Sequence, residues 1–422
     1  MANIPSFFIQ RSSSLNAING FGHLLRKVGI DPFKINADKI IRATKKKAGC
    51  QIELPSTEEG LRRLVVSINE EGLPNTFGSL AVKSLLQRTF YGRLKVEQEI
   101  SQNPGILNEK IEQPVFIVGM PRSGTTILHA MMHEDPDHRS PLCWECLLPY
   151  PIPIPENYDD NPQYRTVKKD FEQLFKLIPD FLKKHYMAAD TPQECISINA
   201  LDFNSFQFFA QLYLPSYLEW FNNHADCLET MRFHKRFLQY LQSGGVKSKR
   251  WLLKSPVHLM RLPELFEVYP DARIIMTHRH PIEVVPSTAS LISSVRSLYS
   301  DHETPERTGL EQAKVWSLYF NRCLVSLQKL RKDDQIVHIR FEDFVNDQIG
   351  TVKSIYNRFN WHLSNEVIKK FIHFLSENPK DKHGRHTYTL EDFSLKEKSI
   401  MKMYTDYIDF LDEMNSLSNY GT

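Results

Sequence analysis

A chain of 422 residues with 41% hydrophobic and 24% charged residues is of ordinary globular composition, long enough to bury a large core in one to three domains. Its 52 basic and 50 acidic residues leave a formal charge of +2, so no global field argues for nucleic acid or an anionic membrane as the main partner, and any anion site must be local. Six scattered cysteines exclude a disulfide scaffold and predict reduced thiols, and no stretch reaches the roughly 18–20 apolar residues of a membrane span.

Residues 4–30 carry Arg11, Arg26 and Lys27 with no acidic residue before Asp31, and Leu15, Ile18, Leu25 and Val28 recur at helical spacing. The pattern imitates an organelle transit peptide; the simpler reading is a helix lying on the domain or on a membrane surface. Further helices are predicted over Leu61–Ile68, opened by a capping box at Ser56–Glu59, and over Leu80–Val96, with Pro104-Gly105 closing the region. Residues 1–110 thus read as an N-terminal helical region without recognisable chemistry.

Pro114–Leu128 reads PVFIVGMPRSGTTIL. Val115–Val118 suits a strand buried on both faces of a parallel sheet, Gly119 opens a loop, and Ile127–Met132 continues as a helix. This is the setting of a phosphate-cradling loop, in which backbone N–H groups and a helix N-terminus face an anion. A triphosphatase places lysine just before the last Ser/Thr. Here Thr125 stands in that place and Arg122 supplies a charge inside the loop, which suits a phosphate-like group other than an ATP γ-phosphate.

Beyond the loop helix, Pro149, Pro151, Pro153 and Pro155 force an extended path. Cys143-Trp-Glu-Cys146 is a CxxC with only His129 and His133 at a convenient distance, fewer well-spaced ligands than a structural zinc site needs, so no metal is expected. Residues 163–186 and 203–243 read as helical, with Pro215 expected to kink or break the second stretch. Phe203, Phe206, Phe208, Phe209, Tyr213, Tyr217, Trp220 and Phe221 crowd it, either as core or as the wall of an apolar pocket. After Gly244-Gly245, strands over Trp251–Leu253, Ala272–Thr277 and Gln335–Ile339 alternate with helices, which predicts a parallel sheet with right-handed crossovers, and 395–415 reads as a last helix. The strand at 272–277 runs into Thr277-His278-Arg279-His280-Pro281, where an ATPase would present an acidic partner for magnesium. Pro281 suits a helix's first turn, so Arg279 and Ser287 can face one ligand; alone, Arg279 also fits a strand-end ion pair.

The PRSGTT loop and the Arg279…Ser287 spacing resemble the 5′-phosphosulfate and 3′-phosphate motifs of sulfotransferases that use 3′-phosphoadenosine-5′-phosphosulfate (PAPS), especially the bacterial-type and tyrosylprotein branches. The resemblance spans roughly residues 111–394. It implies an α/β fold, a P-loop-type parallel sheet flanked by helices, with residues 111–422 as the sulfotransferase domain and PAPS as co-substrate without a metal. By the same resemblance Arg122, Ser123, Gly124, Thr125, Thr126, Arg279 and Ser287 bind the nucleotide, and Phe341 in Ile-Arg-Phe-Glu-Asp-Phe stacks on adenine. Arg385, in the basic segment Lys380–His386, stands for the late loop over the 3′-phosphate, although the segment departs from the RKG triplet of the cytosolic branch. Glu145 resembles the catalytic Glu of tyrosylprotein sulfotransferases, allowing a two-residue insertion, and Lys254 in Leu-Leu-Lys-Ser-Pro the leaving-group lysine, with Arg122 beside it. The cytosolic branch uses a His base, so His258 stays as a competitor, and Asp190 and Glu194 are further candidates to approach the acceptor.

The expected activity is sulfonate transfer to a hydroxyl of a small alcohol, phenol, sterol or lipid. A cytoplasmic setting is expected, without nucleic-acid partner or membrane span, and homodimerisation is left open. The competing readings are a P-loop nucleotide kinase or other phosphotransferase, and a non-catalytic nucleotide-binding protein.

Overall fold

The structure, a computed structural model, describes residues 5, 7–29, 31–178, 187–379 and 388–418. The chain divides into two compact units, one of Met1–Ile111, Pro141–Lys247 and Ile292–Glu303, the other of Glu112–Ser140, Ser248–Leu291 and Thr304–Thr422.

The second unit holds the sheet. Strands β1 (Val115–Gly119), β2 (His138–Arg139), β3 (Arg250–Lys254), β4 (Arg273–His278) and β5 (Ile336–Arg340) lie in the order β2-β3-β1-β4-β5, all pairs parallel. β1 is buried along its whole length, as a strand covered on both faces must be, and Val115 and Ile117 pack with Leu128, Met131, Leu252 and Ile275. The register sets Ile117 opposite Lys254, Gly119 opposite Thr277 and His278 opposite Arg340. From central β1 the sheet grows to β3 on one side and β4 on the other, and the carboxyl edge at such a switch of strand order is where open parallel sheets bind ligands. Three helices leave that edge: Thr125–His133 after β1, Pro281–Tyr299 after β4 with the expected proline in its first turn, and Phe341–Asn346 after β5.

The first unit is helical. Helices Ser13–Lys27, Ala37–Ala48, Pro55–Ser67 and Thr76–Gln102 are tied to later segments of the same unit through Thr57 Oγ1, which donates to Asp202 Oδ1 at 2.6 Å; at the short turn that follows them, the carbonyls of Leu107 and Glu109 accept from Gln239 Nε2 at 2.9 Å. The capping box expected at Ser56 does not form. Pro55 takes the first helical position, where its fixed φ and missing N–H are an advantage, so Ser56 already lies inside the helix. Pro215 breaks the second stretch as expected, by taking the first position of a new helix, Pro215–Asn223, and the expected helical stretch 203–243 becomes Gln207–Gln211, Pro215–Asn223 and Cys227–Ser243. Except for half-buried Tyr213, its aromatic side chains are core: Phe209 sits 4.1 Å from Phe206 and 5.4 Å from Phe221, ring centre to ring centre, and all three are buried. Among the described residues no helix is long and apolar enough to cross a membrane.

Candidate functional site

The loop after β1 is shaped by one close approach and two unusual backbone conformations. A Cβ on Gly119 would fall 2.2 Å from Thr277 Oγ1 and 2.7 Å from the Thr277 carbonyl oxygen, so only glycine lets the end of β1 lie against β4. Ser123 Oγ donates to the Met120 carbonyl at 2.6 Å and shares a hydrogen bond with Thr277 Oγ1 at 2.7 Å. Ser123 therefore braces the loop with its hydroxyl. Gly124 has φ +86°, which glycine adopts freely, but Arg122 has φ +69°, a conformation that costs a non-glycine residue about 1–3 kcal/mol and persists only where its surroundings enforce it. These turns deliver the chain into Thr125–His133, whose first intrahelical bond runs from Leu128 N–H to the Gly124 carbonyl. The amides before it belong to the first turn, whose N–H groups lack intrahelical acceptors and carry the positive end of the helix dipole. Thr126 is exposed there and Thr125 buried.

Cationic side chains converge on this loop from the neighbouring strand ends. Lys254, last residue of β3, is buried with Nζ 3.4 Å from Thr126 Oγ1. Arg279, just past β4, donates from Nη1 to the Arg122 carbonyl at 2.8 Å. Its Nε and Nη2 donate to Glu283 Oε2 at 2.9 and 2.6 Å, so the strand-end ion pair exists alongside the loop contact. The guanidinium also lies 4.0 Å from the Phe341 ring centre, a cation–π distance, and that same ring backs Gly124, 3.2 Å from where a Cβ would be. Arg122 Nε donates to Ser287 Oγ at 3.1 Å. Ser287 is in turn hydrogen-bonded to the Tyr388 hydroxyl, a partner that sequence reasoning missed because a single tyrosine carries no spacing signal. One unit thus gathers Arg122, Ser123, Gly124, Thr125, Thr126, Lys254, Arg279, Ser287 and Phe341 at the carboxyl edge of its sheet. Arg385 lies outside the described residues.

His129 and His258, both in this unit, are buried. His129 brings Nε2 to 3.2 Å from the Leu252 carbonyl and 3.0 Å from Ser140 Oγ, tying the loop helix to β3; burial first, and the Lys254 charge second, hold its pKa well below the usual value, so it is neutral. His258, in the short turn Pro256–Met260 after Lys254, is buried edge-on to Phe116 at 5.2 Å.

In the first unit, Glu145 is fully buried as the third residue of helix Cys143–Leu147, and its Oε2 accepts from the Leu142 N–H at 2.8 Å. The start of that helix is held by the segment carrying Asp190: Cys143 N–H donates to the Thr191 carbonyl and Trp144 N–H to the Ala189 carbonyl, each at 3.0 Å. Glu194 occupies the N-cap of Cys195–Ala200. Burial pushes the Cys143 thiol up to about 12 and the Cys146 thiol well above its ordinary value, which disfavours a free, nucleophilic thiolate near neutral pH. Among the described residues no group of three or more His, Cys, Asp and Glu side chains is placed to hold a metal ion.

Residues 114–365, more than half of the chain, match the Sulfotransferase family. An omega-hydroxy-beta-dihydromenaquinone-9 sulfotransferase, Stf3 of Mycobacterium tuberculosis (strain CDC 1551 / Oshkosh), is 25% identical over 313 residues, covering 73% of this chain and 75% of that protein. Among solved structures, sulfotransferase STF9 from Mycobacterium avium superimposes with a TM-score of 0.82 at 26% identity, over 90% of this chain and 97% of that one. Sulfotransferase STF1 from Mycobacterium tuberculosis H37Rv does so with a TM-score of 0.73 at 26% identity, over 94% and 98%.

Proposed function

This chain belongs to the sulfotransferase family, and on that premise we propose how its residues divide the work of moving a sulfonate from PAPS to an acceptor hydroxyl. PAPS supplies, when bound, a sulfonate whose leaving group is the 5′-phosphate of 3′,5′-diphosphoadenosine. The donor set fits a nucleotide with anionic groups on both its 5′ and 3′ sides: a helix N-terminus with two cations at one place, a guanidinium and a hydroxyl at another, and an aromatic face beside them. Ser123, Gly124, Thr125 and Thr126 hold the 5′ end through the loop and the first-turn amides. Arg122 and Lys254 stabilise the charge that develops on the departing phosphate. Arg279 and Ser287 hold the 3′-phosphate, and Phe341 offers its ring to adenine. Glu145 is the base that takes the acceptor proton, a task that a hydroxyl nucleophile requires near neutral pH. The acceptor is a hydroxyl on a lipid-like molecule, the class that the name of the Stf3 relative points to, with sterols, phenols and small alcohols as neighbouring chemistries.

The observation that carries this reading is the chain of hydrogen bonds from Arg279 to the Arg122 carbonyl and from Arg122 to Ser287, which joins two anion motifs 157 residues apart in sequence at one sheet edge. A triphosphate-handling enzyme would keep a lysine at Thr125 and an acid at the end of β4. The test is to incubate the purified protein with PAPS and a panel of hydroxylated lipids, sterols and phenols and to look for sulfonated products by mass. With the best acceptor, Glu145→Gln lowers kcat by about 100-fold or more and leaves diphosphoadenosine affinity intact. Wild-type turnover in that variant removes Glu145 from the chemistry and turns attention to His258.

A further inference from the structure

The helix Ser13–Lys27 is fastened to its unit by the side that is poor in large apolar groups. Leu15 and Gly22 are its buried residues, and Gly22 lies so close to Thr76 that a Cβ would meet Thr76 Oγ1 at 1.8 Å. Asn19 Oδ1 accepts from the Phe77 N–H at 2.9 Å, and Arg26 Nη2 donates to Ser79 Oγ at 3.3 Å. Those contacts fix the helix on the start of Thr76–Gln102. They leave Ile18, Phe21, Leu24 and the C-capping Val28 exposed at 44%, 62%, 63% and 69%, at spacings of three, three and four residues that make one stripe on a 3.6-residue period. An exposed stripe of this kind costs solubility and is kept for contact with another surface.

Charge selects the surface. The near-neutral total of the chain hides a strong asymmetry: its first 48 residues hold nine Lys and Arg against two Asp, while the whole chain has a balance of +2. Arg11 is paired with Asp301, Arg26 with Asp31, and Lys45 with Glu53 and Glu58. Lys27, Lys39, Arg42, Lys46 and Lys47 are exposed, the last four on Ala37–Ala48, a helix that also packs on Thr76–Gln102. A symmetric contact with a second copy would bring two such basic segments together, which like-charge repulsion opposes. An anionic lipid bilayer satisfies both features at once, taking the aromatic and aliphatic stripe into its headgroup boundary and the lysines onto its charged surface. We propose that the Ile18–Phe21–Leu24–Val28 stripe, with the exposed lysines and arginine of the two N-terminal helices, is a docking surface for an anionic lipid bilayer. The proposal does not depend on the identity of the acceptor, since it is read without PAPS or acceptor present.

The test uses the full chain and sedimented vesicles of phosphatidylcholine, alone or mixed with phosphatidylglycerol. Wild type binds the phosphatidylglycerol vesicles at low salt and is released as salt rises. Phe21→Ser combined with Leu24→Ser lowers partitioning by about tenfold or more, and Lys46→Glu with Lys47→Glu lowers it by roughly fivefold for each residue that reaches the surface, on the anionic vesicles only. Both pairs are exposed, so thermal unfolding and diphosphoadenosine binding stay at wild-type values and certify the fold. Failure of the wild type to bind anionic vesicles at low salt overturns the proposal, as does undiminished binding by the Phe21/Leu24 variant. Sedimentation velocity that shows a dimer lost in that variant, without vesicle binding, assigns the stripe to a second copy and overturns it equally.

Discussion

The loop at 119–126 and the aromatic run at 203–221 are both stretches that the sequence offers as parts of a site, and the structure treats them in opposite ways. Each holds a non-glycine residue at positive φ, Arg122 at +69° and Phe203 at +50°. At Phe203 the strain is enclosed: the ring stacks on Phe208 at 5.8 Å, the carbonyl accepts from the Tyr217 hydroxyl at 2.9 Å, and the residue is buried. At Arg122 it is open, because the side chain is exposed, the carbonyl accepts from Arg279, and the next residues begin a helix whose first-turn amides point at the loop. Strained backbone alone therefore does not mark a binding site. Strain does so when it turns polar donors outward, and it serves packing when it turns rings inward.

The sharpest way to break this contrast is to damage the aromatic run. Phe209→Ala is expected to lower folding stability by about 3–5 kcal/mol, the cost of emptying a ring-sized volume in a closed core, measured by denaturant unfolding. Diphosphoadenosine affinity and activity per folded molecule stay unchanged. A variant that keeps its stability while the acceptor KM rises would instead make the run an acceptor pocket. Arg279→Ala is the mirror experiment. Charge-assisted hydrogen bonds are worth about 1.5–3 kcal/mol, so affinity for 3′,5′-diphosphoadenosine should fall by about 10- to 100-fold in calorimetry. Stability should move by less than about 1 kcal/mol, because the Glu283 partner of Arg279 is half exposed and such pairs contribute little. A loss of stability without a loss of affinity would reduce Arg279 to its ion pair.

The same contrast explains what the sequence allowed to be read. The strands at 115, 251, 272 and 335 were legible because each is a short apolar run bounded by polar or turn residues, and each lies within a residue or two of its expected place. β2 was not, since His138 and Arg139 are polar and become a strand only by pairing with Arg250 and Trp251 more than a hundred residues later. The helix expected after Ser56 began earlier because Pro55 competes for the first-turn position, a local choice that the Ser-x-x-Glu pattern does not reveal. The residues proposed to hold the nucleotide could be named one by one because glycine spacing and strand ends are local features that a family resemblance can be carried on. Their mutual contacts could not, since those depend on the parallel register that brings Gly119 beside Thr277 and so places Arg279 at the loop.

Tyr388 gives the smallest and most discriminating prediction. Its hydroxyl bonds to Ser287, which also accepts from Arg122, so removing it deletes a neutral hydrogen bond of about 1 kcal/mol. Tyr388→Phe should weaken diphosphoadenosine binding by roughly fivefold. If the phenol acts through Ser287 on the 3′-phosphate, adenosine 5′-phosphosulfate, which lacks that phosphate, should bind the variant and the wild type alike. Ser287→Ala combined with Tyr388→Phe should then cost little more than Ser287→Ala alone, since residues that share one partner are not additive. An equal loss for both nucleotides would place the phenol at the 5′ end of the site, and fully additive losses would separate it from Ser287 despite their contact.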